Sequence, residues 1–284
     1  MPAVRRFVAR LLAFDTKLAS AIGPHDASGS NWTLRLVQRL WLATAVVLVL
    51  LIAAVAALVC DVAISKFFLQ NPDTLLRRMV AIAEPFGNGW GVLLVVILIW
   101  QLDPARRRDL LFVVTASYGA GLVANLAKMT VVRVRPHSFD FVGGVATTFG
   151  YQLDSTAGGS SLQSFPSAHT ATAVGLAIAL SLVYPRSRNL FFIIAIGVAM
   201  QRVCAGAHFL SDVLAGAALG LTVGVACARA HLRKWRQLGA FPRVDHRANG
   251  NPAVEHLERK PIRAESVDHE STSLRDDARA TSAA

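Results

Sequence analysis

The chain has 284 residues, of which 54% are hydrophobic and only 17% charged, and its mean hydropathy of +0.45 excludes an ordinary soluble globular domain. A formal net charge of +11 would suit a nucleic-acid binder, but the basic residues gather beside apolar segments, as membrane topology signals do. Cys60, Cys204 and Cys227 lie in or at the edge of apolar runs without disulfide or metal-site spacing, and read as packing residues.

Residues 1–40 hold no cleavable signal peptide, because Arg5, Arg6 and Arg10 interrupt the only apolar stretch near the start. They read instead as a basic segment lying on the membrane surface. Six apolar segments follow, at about 41–60, 86–102, 110–128, 167–184, 189–204 and 209–229. They predict an all-α, polytopic bundle of six transmembrane helices over residues 41–230. The sequence EPFGNGWG (84–91) separates the second span from an amphipathic lead-in, and YPRSR (184–188) makes a short hairpin between the fourth and fifth. From about residue 240 to 284 the chain is polar, with mixed charge and no aromatic after Phe241, and is expected to be a disordered cytoplasmic tail.

Charge sets the expected orientation. Arg35 and Arg39 precede the first span, Arg106, Arg107 and Arg108 follow the second, Arg186 and Arg188 follow the fourth, and Arg229, Arg233, Lys234 and Arg236 close the sixth. All these segments are expected on the cytoplasmic side, with both termini inside. Lys128, Arg133, Arg135 and Arg202 fall at the outer ends of spans three and five, where a topology argument expects basic residues least.

Snorkelling to the headgroups explains any one of these four; their spacing argues for more. Lys128 and Arg135 are seven residues apart, two turns if the helix continues, so both would point the same way just before Pro136. Ser117, Gly121 and Asn125 fall on the same stripe, and a polar, small-residue stripe in a span faces protein. Arg133 lies off that stripe and is expected to matter much less. In the sixth span His208 and Asp212 are four apart on one face, so the carboxylate would accept from one ring nitrogen and leave the other as nucleophile or base. A membrane-interface histidine capped by an acid has the same spacing. Gly216, Gly220 and Gly224 continue that face and would let another helix approach closely.

The stretch SFPSAHT (164–170) opens the fourth span. Pro166 suits a helix start, Ser167 suits an N-cap, and the first N–H groups would point to the same face as Lys128, Arg135, Arg202 and His208. A helix N-terminus with three cations and two histidines, His169 and His208, describes a phosphate cage.

The segments KMTVVRVRP (128–136), PSAH (166–169) and RVCAGAHFLSD (202–212) resemble the three signature motifs of the type 2 phosphatidic acid phosphatase family, membrane lipid-phosphate phosphatases related to vanadium haloperoxidases. Two positions depart from the pattern: Ala168 stands where the family has glycine, and Gln201 where it has serine. The resemblance implies that Lys128, Arg135 and Arg202 hold the phosphate oxygens, helped by Ser167 and by the N–H groups of Ser167, Ala168 and His169. It implies that His208, oriented by Asp212, attacks phosphorus to form a phosphohistidine, and that His169 protonates the leaving oxygen and then activates water. No cofactor is implied, and no carboxylate cluster for a metal is legible; the arginines stand where a divalent cation would.

Residues 137–165, with Gly143, Gly144, Gly150, Gly158, Gly159, Phe139, Phe141, Phe149 and Tyr151, form either a cover whose aromatics touch lipid chains or a plain connector. The expected activity is removal of phosphate from a lipid phosphate or diphosphate at the outer leaflet of a bacterial inner membrane, with the active site on the periplasmic face. Undecaprenyl diphosphate, phosphatidic acid, phosphatidylglycerol phosphate and lipid A are the candidate substrates. Transfer of the phosphoryl group to a lipid acceptor uses the same intermediate. A transporter of phosphorylated lipid is disfavoured, since no inverted repeat is evident and the polar groups gather at one face. The expected partners are the lipid substrate and the bilayer, with no nucleic acid; the sequence does not fix the oligomeric state.

Overall fold

A computed structural model describes residues 30–150 and 160–237, with side chains over 41–150 and 160–234. Tyr151, Gly158, Gly159, most of the basic segment 1–40 and the tail 240–284 lie outside the described residues.

The described chain is all-α, with eight helices: α1 Ser30–Ala57, α2 Asp61–Gln70, α3 Leu75–Ala81, α4 Gly89–Leu102, α5 Leu110–Ala127, α6 Ala168–Val183, α7 Arg188–Cys204 and α8 Leu210–Gln237. The punctuation read from the sequence is where the helices break. Asn88 caps α4, accepting from the N–H groups of Trp90 at 2.8 Å and Gly91 at 3.1 Å, and Pro185–Ser187 turns the chain between α6 and α7.

Helix α6 is the centre of the bundle and packs against α5, α7 and α8, while α1 lies along α8. Its sequence suits that place: Ala171, Ala173, Gly175, Ala177 and Ala179 are all buried and small, so neighbouring backbones come close. A Cβ on Gly175 would lie 2.2 Å from the Ala116 carbonyl oxygen of α5. The glycine run of α8 serves the same purpose, since a Cβ on Gly216, Gly220 or Gly224 would lie 2.5, 2.5 or 2.6 Å from Ser167 O, Ala171 O or Ile178 Cδ1.

Among the described residues three helical stretches are long and apolar enough to cross a membrane: Pro104–Ala127, Pro185–Cys204 and Leu210–Lys234. Trp41–Ala57 with Asp61–Gln70, bent by 72° between them, makes a fourth if the pair is one span. Gly89–Leu102 and Ala168–Val183 are apolar but shorter. Leu48, Ile52, Leu94, Leu122, Ile193 and Ile196 project outward and exposed, a surface suited to lipid.

The C-terminal ends of α5 and α7 and the N-terminal ends of α6 and α8 meet at one end of the bundle. The opposite end is tied by Tyr184 Oη donating to Asp103 at 3.1 Å and by Asp109 pairing with His231 at 3.2 Å and Arg106 at 3.8 Å.

One expectation of local structure fails. The third span does not continue as a helix through Arg135; α5 ends at Ala127 and Lys128 is its C-cap. The next residues include the β-branched Thr130, Val131, Val132 and Val134, and Pro136 disfavours helix at Arg135. The segment runs extended instead, bridging Arg133 to Gln163, with Arg133 N donating to Leu162 O at 3.0 Å, Ser164 N to Arg133 O at 3.0 Å and Arg135 N to Ser161 O at 2.8 Å. Lys128 and Arg135 therefore converge because the loop returns, not through helical register. On the stripe itself Ser117 and Gly121 are buried, whereas Asn125 is exposed.

Candidate active site

The extended segment carries the most buried charge of the site. Arg133 is fully buried, and its guanidinium meets two carboxylates and two hydroxyls. Nη2 donates to Asp61 Oδ2 at 2.8 Å, Nη1 to Ser211 Oγ at 2.7 Å and to Asp212 Oδ1, and Nε to Thr148 Oγ1 at 3.2 Å. The rings of Phe149 and Phe209 lie 4.4 and 4.2 Å from its central carbon. Arg133 lies off the stripe read from the sequence, yet it is the buried counter-ion of two acids, Asp61 and Asp212.

Asp212 is used on both oxygens. Beside Arg133 it accepts from Ser164 Oγ at 2.6 Å and from the Phe209 N–H at 2.9 Å, and its backbone carbonyl accepts from the Ser167 N–H at 3.0 Å. This differs from the expected histidine–aspartate hydrogen bond. His208 Nδ1 lies 2.6 Å from the Ser164 carbonyl oxygen but 3.9 Å from Asp212 Oδ2, beyond hydrogen-bond reach. The carbonyl accepts Nδ1–H and so fixes the tautomer that leaves Nε2 unprotonated. Asp212 acts one step back, by holding Ser164 and by its charge.

His208 reaches this position through a left-handed turn. Helix α7 ends at Cys204, Gly206 takes φ +68°, and the N–H groups of Ala207 and His208 both return to the Arg202 carbonyl, at 3.1 and 3.2 Å. Only glycine adopts that conformation readily, and a Cβ would also meet Leu69 at 2.7 Å. The turn sets the third motif's arginine and histidine on one small surface.

Around that surface stand the remaining expected residues. Ser167 is the N-cap of α6 and is buried; its hydroxyl accepts from Thr170 Oγ1 at 3.0 Å and Thr170 N at 3.5 Å. Because the Ser167 N–H is engaged by Asp212, the N–H groups left for a ligand are those of Ala168 and His169, which meet no acceptor among the described residues. His169, on the first turn, is within electrostatic reach of Arg202, His208, Lys128 and Arg135.

The cations at the front have few partners. Among the described residues the Nε of Arg135 is buried without a hydrogen bond, and burial together with the neighbouring Arg202 lowers the pKa of its guanidinium. Burial, with Arg135 beside it, brings Lys128 down from 10.5 to about 8. Burial also lowers the imidazole of His208, against the opposing pull of Asp212. Like charges crowded without an ion pair of their own among the described residues, beside free N–H groups at a helix N-terminus, suit a multiply charged anion.

Arg202 is the exception. Its Nε donates to Gln201 Oε1, its Nη2 to Glu84 Oε1, and Gln201 Nε2 donates to Glu84 Oε2 at 3.0 Å. Gln201, the departure from the motif, is thus bonded to the cage.

Sequence reasoning named the residues of the three motifs and missed Asp61, Glu84, Ser164 and Ser211. Asp61 and Glu84 each interrupt a largely apolar stretch, a signal that could have marked them. Ser164 meets His208 through its backbone carbonyl, which no side-chain pattern reveals, and Asp212 through its hydroxyl.

Comparison with known proteins agrees with this geometry. Residues 109–236 match the model of the PAP2 superfamily. The chain is 32% identical over 181 residues to a lipid A 1-phosphatase of Rhizobium etli, covering 56% of this chain and 75% of that protein. It is 29% identical to a lipid A 4'-phosphatase of Porphyromonas gingivalis, over 62% of this chain and 79% of the relative. Among solved structures, a transmembrane PAP2-type phosphatidylglycerolphosphate phosphatase from Bacillus subtilis shares the fold with a TM-score of 0.50 and 23% identity, covering 67% of this chain and 96% of its own.

Proposed function

The chain belongs to the PAP2 superfamily of type 2 phosphatidic acid phosphatases and is an integral-membrane phosphatase of lipid phosphates, and on that premise we propose that it removes a phosphate from lipid A or a related saccharolipid through a phosphohistidine. The lipid A phosphatases among its relatives support that substrate class. The observation that carries the mechanism is the locked ring of His208, whose Nδ1 is held at 2.6 Å by the Ser164 carbonyl and whose Nε2 is left to attack.

In this reading Lys128, Arg135, Arg202 and the N–H groups of Ala168 and His169 hold the equatorial oxygens, where charge is spread in the transition state. Nε2 of His208 bonds to phosphorus as the bond to the leaving oxygen breaks, and His169 gives that oxygen its proton. Water then attacks the phosphohistidine, His169 takes the water's proton, and His208 is released with inorganic phosphate. Asp212 and the Ser164 carbonyl stabilise the positive ring that exists between the two steps. No cofactor enters this scheme, because fixed cations neutralise the transferring group.

The proposed topology has six spans, residues 41–230 as the catalytic domain, residues 1–40 and the tail 240–284 in the cytoplasm, and the site on the periplasmic face of the inner membrane. Its support is the arginine-rich loops at the bundle end opposite the site. An alkaline phosphatase fusion in the 137–165 loop should be active and one after residue 236 silent; the reverse pattern would contradict this orientation.

Substrate choice is tested by phosphate release from the purified protein in detergent, over lipid A, phosphatidylglycerol phosphate, phosphatidic acid and undecaprenyl diphosphate. Lipid A should be hydrolysed fastest. A preference for undecaprenyl diphosphate would contradict the substrate class, and phosphorylated lipid product in place of inorganic phosphate would make the enzyme a transferase.

A further inference from the structure

Arg202 is 9% exposed and held on one side only. Its Nε and Nη2 share one edge of the guanidinium plane, and both donate to the Gln201–Glu84 pair. Gln201 Nε2 closes the ring by donating to the second oxygen of Glu84 at 3.0 Å. Nη1 and the outer hydrogen of Nη2 form the other edge, which meets no acceptor among the described residues. A guanidinium fixed by two bonds along one edge cannot turn in place without breaking a charge-assisted bond, so the free edge has a set direction.

Glu84 is itself placed with respect to the catalytic helix. It opens the 3-10 turn Glu84–Gly87, and Gly87 packs so tightly on α6 that a Cβ would lie 2.9 Å from the His169 carbonyl oxygen and 2.5 Å from Val198. The turn that presents the carboxylate is therefore keyed to the backbone of His169 and to α7, which carries Arg202.

We propose that Glu84 and Gln201 are positioning residues that occupy one edge of Arg202 and thereby aim the other at the phosphoryl group. The proposal rests on the reading of Arg202 as a phosphate ligand. The glutamine that departs from the family motif then has a definite role, in which its amide oxygen holds Nε while its amide nitrogen holds Glu84. Glu84 remains bonded to Arg202 when the anion arrives, since the anion takes the opposite edge.

Orthovanadate, a five-coordinate mimic of the transferring phosphoryl group, reads the aim of Arg202 directly. Its equilibrium binding would be measured by calorimetry on the full chain in detergent, for wild type, Glu84→Gln, Arg202→Lys and the double variant. Glu84→Gln should weaken binding about tenfold, the scale of one hydrogen bond to a charged group, and Arg202→Lys about a hundredfold. The double variant should bind no more weakly than Arg202→Lys, because an ammonium has no second edge to be aimed. Glu84→Gln with Gln201→Glu, which returns a carboxylate to the ring, should recover most of the loss. A full further tenfold loss in the double variant would mean that Glu84 acts on something other than Arg202, and tighter binding in Glu84→Gln would mean that it competes with the anion; either result overturns the proposal alone. Wild-type affinity in Arg202→Lys would instead remove Arg202 from the phosphate site, and the proposal with it.

Discussion

Arg133 and Arg135 stand two residues apart in one extended segment and belong to opposite sides of the site. Arg133 is fully buried between Phe149 and Phe209, with every guanidinium nitrogen bonded to a protein oxygen. Arg135 is half-buried, and its Nε has no partner among the described residues. Behind His208 lies a completed layer of Asp61, Arg133, Ser164, Ser211 and Asp212; before it lies an incomplete one of Lys128, Arg135 and the first N–H groups of α6. A buried cation satisfied by the fold supports the scaffold, whereas a group of cations and N–H donors left over by the fold is short of an anion. The comparison teaches that charge alone does not mark a ligand site; the missing partner does.

The largest effect is expected from emptying the rear layer. Arg133→Met leaves Asp61 and Asp212 buried without their counter-ion, a loss of about 3–5 kcal/mol. The variant should unfold at a markedly lower temperature in detergent, and adding Asp61→Asn should restore part of the loss. An unchanged midpoint for Arg133→Met would place Arg133 outside the scaffold.

The same deletion at the front should act on rate and not on stability. Arg135→Ala is expected to lower turnover at least ~10²-fold, the scale lost with one transition-state donor, while its thermal midpoint stays near that of the wild type. Stability and activity falling together in this variant would erase the distinction between the layers.

The contact between the layers is tested at Gly216. A methyl there would meet the Ser167 carbonyl oxygen at 2.5 Å, and relieving the clash moves α8 from α6 at a cost of about 1–3 kcal/mol. Because the Ser167 N–H is bonded to the Asp212 carbonyl, Gly216→Ala should lose activity along with that stability. Full activity with the stability loss would separate the two helices from catalysis.

The smallest effect is a titration. In the proposed scheme Lys128 holds phosphate when protonated, and with its pKa near 8 it loses its charge as the pH rises through that value. The share of anion binding that Lys128 supplies should therefore be lost above pH 8, so that kcat/KM falls there relative to Lys128→Arg. Lys128→Arg should move that limb to higher pH. On the acid side the proposed attack needs a neutral His208, and burial holds its pKa below the usual 6.5, so the acid limb should lie below that value. A basic limb that stays in place in Lys128→Arg would assign it to another group.

Much of the fold was legible because its signals are local. Each of the six apolar runs is represented by a helix, Ser167 caps α6, and the Gly216–Gly220–Gly224 run is where two backbones touch. The site was legible where a motif puts a side chain at fixed spacing, as with His208 and Arg202. It was not where the geometry depends on a distant return of the chain. Lys128 and Arg135 meet through the pairing of 133–135 with 161–164, and helical register gave the right neighbours for the wrong reason. Arg133 lies off the stripe, and its partner Asp61, 72 positions earlier, leaves no local signal of the pair. The four-residue spacing of His208 and Asp212 put them on one face, yet the hydrogen bond goes to the Ser164 carbonyl, 44 residues upstream.

If the fold completes the rear layer so that His208 Nε2 faces the anion site, a covalent trap should catch phosphate on that nitrogen. Purified protein mixed with phosphate-labelled lipid A in excess chelator and quenched rapidly without acid should carry label on His208, stable to base and lost in acid. His169→Ala should slow both the appearance and the loss of that label without moving it, because His169 transfers protons and does not attack. Label on any other residue, or full turnover in His208→Ala, would contradict the account.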